Sequence, residues 1–123
     1  MEQEYSYRRL NVYKKAVDYV IEVYKILQQF PREENYALCD QLRRAAVSVP
    51  SNLAEGLSRI SDKEKLRFID IAYGSLMESH CQMEIAHKLY YITENTFNNI
   101  EKIIDDEAKI INGMRSALKK SLC

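Results

Sequence analysis

The stretch LNVYKKAVDYVIEVYKIL, Leu10 to Leu27, decides the fold class. Leu10, Tyr13, Val17, Val20, Tyr24 and Leu27 recur at alternating three- and four-residue steps and are all apolar, which is the spacing of a helix-bundle seam. A second stripe, Val12, Ala16, Tyr19, Val23 and Ile26, follows the same steps about 110° away around the helix. Together they make the segment apolar over more than half its circumference, with Lys14, Lys15, Asp18, Glu22 and Lys25 on the wet side. One stripe suffices for the chain's own bundle. The second, Val12 to Ile26, is therefore left for a neighbouring subunit, the expected interface, or for an overlying tail.

Three further segments carry the same period. Phe30-Pro31 closes the first, because proline lacks the amide that would continue the helix and pushes the preceding residue out of helical geometry. Leu38, Leu42, Ala45, Val49, Leu53 and Leu57 or Ile60 mark a second helix with Pro50 inside it, expected as one kinked element. Ser61-Asp62-Lys63-Glu64 has the spacing of a capping box and starts a third, whose seam is Leu66, Ile69, Tyr73, Leu76, His80, Met83, His87 and Tyr90. Gly74 lies mid-helix, where glycine costs up to about 1 kcal/mol against alanine, and a close backbone crossing there is expected. Thr93 or Thr96 caps a fourth helix with the seam Phe97, Ile100, Ile104, Glu107, Ile111, Met114 and Leu118, of which only Glu107 is polar.

These segments predict helices over about residues 6–29, 35–59, 62–92 and 96–120. Joined by short connections, they give an all-α protein: one domain over residues 1–123, an antiparallel up-down-up-down four-helix bundle with a left-handed supercoil. Three glycines, two prolines and 29% charged residues agree with a helical chain rather than a loop-rich one.

Eighteen basic side chains balance eighteen acidic ones. Residues 1–60 hold nine basic and eight acidic, and residues 61–123 nine and ten, so neither half is an electropositive module. Any nucleic-acid contact must be a local patch, and Asp105-Asp106-Glu107 would repel phosphate. Cys39, Cys81 and Cys123 are odd in number and widely spaced, as reduced cytoplasmic thiols would be, and Cys39 and Cys81 are expected to pack within helices. Met1-Glu2-Gln3-Glu4 lacks the charge pattern of a leader, and no apolar run approaches a membrane span of roughly 20 residues.

Chemistry-bearing groups are sparse. His80, Glu84 and His87 share one face, and Glu84 to His87 has di-iron spacing, but a di-iron site needs that motif on two helices and two more glutamates. Neither metal nor cofactor is expected, and the histidines are assigned to hydrogen bonds in the core or at an interface. No glycine-rich phosphate loop, nucleophile elbow or activated cysteine is present, so no catalytic residue is named. The most suggestive polar group is Arg43, Arg44 and Arg59 with Ser48, Asn52 and Glu55. Arg44, Ser48, Asn52 and Glu55 run down one flank of the second helix. Such a set can knit a polar network, hold phosphates or dock a protein partner. Lys109, Arg115, Lys119 and Lys120 could form a basic tail for RNA, but such residues more often complement the negative end of a helix.

Two motifs add kinship. Tyr36-Ala37-Leu38-Cys39-Asp40-Gln41-Leu42-Arg43-Arg44 followed by Ser48-Val49-Pro50-Ser51-Asn52-Leu53-Ala54-Glu55-Gly56, and later Ala72-Tyr73-Gly74-Ser75-Leu76-Met77-Glu78, resemble the bacterial four-helix-bundle family encoded by intervening sequences within 23S ribosomal RNA genes. The likeness spans about Tyr7 to Leu118. It implies a non-enzymatic homo-oligomeric ring, often a pentamer, with rRNA or a nucleic-acid-binding protein as partner. A related branch, the accessory variability determinant of diversity-generating retroelements, binds a reverse transcriptase and nucleic acid and is markedly basic; this neutral chain departs from it.

Overall fold

A computed structural model describes residues 5–123; Met1 to Glu4, and with them the leader reading, lie outside the described residues. A short 3-10 turn, Ser6–Arg9, leads through extended Leu10 into α1, Asn11–Leu27. A second 3-10 turn, Arg32–Glu34, precedes α2, Leu38–Leu57, and α3, Asp62–Lys88, and α4, Glu94–Leu122, complete the chain. All described regular structure is helical. Residues 6–9 thus stand apart from the first helix, and the third ends four residues before its expected limit.

The caps follow the sequence chemistry. Ser61 Oγ accepts the Glu64 amide at 3.2 Å, and Thr93 Oγ1 accepts the Thr96 amide at 3.1 Å. At the end of α3 the Tyr91 amide donates to the Ala86 carbonyl and the Tyr90 amide to that of His87, a Schellman ending. It places Tyr90 at φ 64°, where glycine is the usual occupant, and leaves its ring 92% exposed instead of in the seam. Ile60 is likewise outside the core, at 98% exposure.

Polar pairs fix the helix order and direction. Asp62 meets Ser121, Asp70 meets Arg115, Tyr73 meets Asn112 and His80 meets Glu101, so α3 and α4 run in opposite directions. Ser48 meets Ser75, and Gly56 lies against Lys65, Phe68 and Ile69, which sets α2 against α3 in the same opposed sense. The α1–α4 seam carries no side-chain hydrogen bond among the described residues. It is bordered by grooves where Ile26 and Gln29 face Thr96 and Ile100, and Lys15 and Asp18 face Asp106.

The close helix crossing falls at Gly56, not Gly74. A Cβ on Gly56 would stand 2.8 Å from Phe68 Cβ and 3.3 Å from the Lys65 carbonyl, whereas one on Gly74 would meet nothing within 4 Å. α2 continues through Pro50 as one helix. The side-chain amide of Asn52 donates to the Ser48 carbonyl at 2.8 Å, the local backbone bonding its short polar residues allow.

The core is filled from all four helices by Tyr19, Val23, Leu42, Val49, Leu53, Ile69, Leu76, Met83, Ile100, Ile104 and Ile111, each fully or almost fully buried. Apolar burial at roughly 25 cal/mol per Å² is the main stabilising term for such a set.

Candidate functional site

The polar flank of α2 divides into three clusters rather than one patch. At its N-terminal end, Arg43 donates to the Asn35 carbonyl at 3.3 Å and to Asn35 Oδ1 at 2.6 Å, with Asp40 3.6 Å away. That arginine is spent on pinning the loop before α2. Arg44, one residue on, points outward with its side chain 81% exposed and has a single 3.4 Å contact with Asp40.

The middle cluster ties α2 to α3. Ser48 Oγ accepts from the Asn52 amide at 2.9 Å and lies 2.8 Å from Ser75 Oγ, so its own proton is free to go to Ser75. At the C-terminal end Arg59 donates to Glu55 at 2.8 Å, and its guanidinium lies 4.9 Å from the Phe68 ring centroid. Each of the three arginines therefore has a carboxylate beside it, and little local positive field is left over.

The five residues assigned to a subunit interface, Val12, Ala16, Tyr19, Val23 and Ile26, are all buried in the chain's own core. The two stripes of α1 have exchanged roles. Ala16 and the β-branched valines let the neighbouring helices approach closely, and the Tyr19 hydroxyl finds an internal partner, Ser79, at 2.6 Å. Burial pushes the Tyr19 phenol up to about 12, with the Ser79 hydrogen bond opposing that rise. Of the other stripe, Leu10 and Tyr24 are exposed, Tyr13, Val17 and Val20 are half-buried and Leu27 is buried in the core, while Ile21 beside it is exposed. Tyr24 also shares a shallow depression with Asp40, Arg43, Arg44, Val47 and Ser48, so the exposed face of α1 runs onto the arginine flank of α2.

The remaining candidates are structural in their contacts. His80 Nε2 is 2.7 Å from Glu101, and the His87 ring stacks on Phe97 with centroids 4.7 Å apart; Glu84 is exposed. The described residues contain no cluster of three or more histidine, cysteine or acidic side chains able to hold a metal. Cys39 is buried, and its thiol is pushed up by burial, with Arg43 pulling it down and Glu34 adding to the rise. Cys81, expected to pack, is exposed, because it lies on the side of α3 turned away from the core. None of the described helices is long and apolar enough to cross a membrane.

Glu107, read from the sequence as part of an acidic cluster that would repel phosphate, is instead buried. It is 1% exposed, and neither carboxyl oxygen has a hydrogen-bond partner. The signal was present, since Glu107 is the one polar residue in the α4 seam.

Among the described residues, four amphipathic helices, no strand, and a polar α2 flank carrying the Arg-Arg and Ser-Val-Pro-Ser-Asn motifs define a class of small all-α proteins. The chain belongs to the 23S rRNA-intervening sequence protein family, whose model matches residues 8–113. It is similar in fold to the crystal structure of a protein of unknown function from the S23 ribosomal protein family of Bacteroides thetaiotaomicron. That similarity has a TM-score of 0.76 at 19% identity, covering 85% of this chain and 97% of the other. No curated protein matches the chain.

Proposed function

We propose that this chain is a non-enzymatic, cytoplasmic accessory protein that works by self-association into a ring, a pentamer in the pattern its family resemblance implies, and by holding a partner on that assembly. The observation that carries the reading is the outer face of α1. Ile21 and Tyr24 are exposed there, Tyr24 beside Val47 of α2, with Leu10 exposed at the start of the helix, an apolar surface that is uncovered among the described residues. Light scattering at micromolar concentration tests it. The wild type is expected as an oligomer and Ile21→Glu with Tyr24→Glu as a helical monomer; a monomeric wild type refutes it.

A second reading, direct contact with ribosomal RNA, is favoured by Arg44 alone, because that guanidinium is exposed and only loosely paired. One arginine on a neutral chain is a weak phosphate ligand, but its repetition around a ring would build a local field. Binding to an rRNA hairpin whose log affinity falls with log salt, and is lost in Arg44→Ala with assembly intact, would establish it. An intact ring that binds no RNA leaves a protein, such as a reverse transcriptase, as the partner.

A further inference from the structure

Glu107 combines three features that ordinary packing does not require. It lies in the core with both oxygens unpaired, in a seam that no side-chain hydrogen bond closes, beside grooves that run along that seam. One groove, about 180 Å³, is lined by Lys15, Asp18, Tyr19, Glu22, Ile103 and Asp106; the other, about 210 Å³, shares Glu22 and Ile103 with it. Nearby polar groups are already committed. Ser79 donates to the Leu76 carbonyl at 2.7 Å, so the Tyr19 hydroxyl is the donor in its bond to Ser79.

A neutral carboxyl can occupy such a place at modest cost, whereas an unpaired carboxylate there costs several kcal/mol. Burial raises the Glu107 carboxyl to about 7, with Lys15 opposing the rise. Of the elements around it, α1 offers Lys15 with Asp18, Tyr19 and Glu22 at the groove, and α4 adds Asp106. α3 reaches this level near Leu76, between the Tyr73–Asn112 and His80–Glu101 pairs, with Ser79 as its nearby buried polar group and His80 already held by Glu101. α2 turns apolar Leu42, Ala46, Val49 and Leu53 to the core. Lys15 is thus the cation placed to answer a charge on Glu107, while Asp18, Glu22 and Asp106 resist one.

We propose that Glu107 is a proton-controlled latch on the α1–α4 seam: protonated, it lets the seam close over it; ionised, it parts the seam until Lys15 or water reaches the carboxylate. The opening exposes the inner wall of α1 behind Tyr19 and leaves the α2–α3 and α3–α4 seams closed.

Amide hydrogen exchange, corrected for its intrinsic pH dependence, tests the latch on the full chain between pH 5.5 and 8.5, read against the ¹³C carboxyl shift of Glu107. The expected result is a Glu107 midpoint near 7 and a loss of protection in α1 and the facing half of α4 approaching ~tenfold per pH unit above it. α2 and α3 stay level, and Glu107→Gln abolishes the pH dependence. Lys15→Gln moves the midpoint to higher pH. A Glu107 midpoint below 5, or protection falling equally in all four helices, overturns the proposal. So does a Glu107→Gln profile that matches the wild type; if that variant fails to fold, the wild-type midpoint decides by itself.

Discussion

Tyr19 on α1 and Ser79 on α3 join across the interior of the bundle through a 2.6 Å hydrogen bond between two fully buried hydroxyls. The bond accounts for the orientation of α1. Turning Tyr19 outward would expose a large ring and break its bond to Ser79, which keeps its own bond to the Leu76 carbonyl, so this stripe faces inward. Removing the donor and removing the acceptor should differ. Tyr19→Phe leaves Ser79 bonded to Leu76 and costs about 1 kcal/mol, whereas Ser79→Ala strands the Tyr19 hydroxyl and costs about 1–3 kcal/mol. Urea denaturation of both variants and the double variant reads the difference.

Gly56, in the last turn of α2, and Gly74, inside α3, should respond to alanine with opposite signs. Gly56→Ala forces a Cβ into Phe68 and the Lys65 carbonyl and is expected to lose about 1–3 kcal/mol. Gly74→Ala enters open space on an exposed helix position and is expected to gain up to about 1 kcal/mol. Thermal midpoints by circular dichroism check both.

Stability should fall as pH rises because of Glu107. Its carboxyl titrates near 4.5 unfolded and at about 7 in the bundle, so the folded state holds the extra proton between those values. The contribution is complete below 4.5, declines from there to 7 and is absent above. At 1.36 kcal/mol per tenfold the full gap is worth roughly 3 kcal/mol. Glu107→Gln should therefore match the wild type near pH 4.5 and exceed it at pH 8. Denaturant midpoints across that range supply the measurement.

Arg43 and Arg44 are adjacent in sequence but should separate in experiment. Arg43→Ala releases Asn35 and loosens the loop before α2, costing about 1–2 kcal/mol. Arg44→Ala removes only an exposed 3.4 Å ion pair and should stay within about 0.5 kcal/mol of the wild type. If Arg44 carries an RNA contact, its loss lowers the salt slope of binding without changing the melting curve.

Periodicity made the four helices legible, and the α4 seam from Phe97 to Ile111 is buried as read. It could not choose between two equally apolar stripes on α1, because the partners that receive the inward one, Ser79 for Tyr19 among them, lie on other helices. The same limit applies to Gly56 and Gly74: each is a helix glycine locally, and only the approach of α3 distinguishes them. The α2 motif located the conspicuous arginines but not their partners. Asn35 takes Arg43, Glu55 takes Arg59, and Arg44 is left facing water. Glu107 was visible as a break in a pattern, yet its unpaired state depends on all the surrounding helices.

The uneven distribution of polar pairs has a mechanical consequence. Among the described residues, α4 is fastened to α3 at four levels from Asp62–Ser121 to His80–Glu101, while no side-chain hydrogen bond joins α1 to α4. Under a pulling force applied between the chain ends, α1, held by apolar packing and its one buried bond to Ser79, is expected to part from α4 before the α3–α4 hairpin unzips.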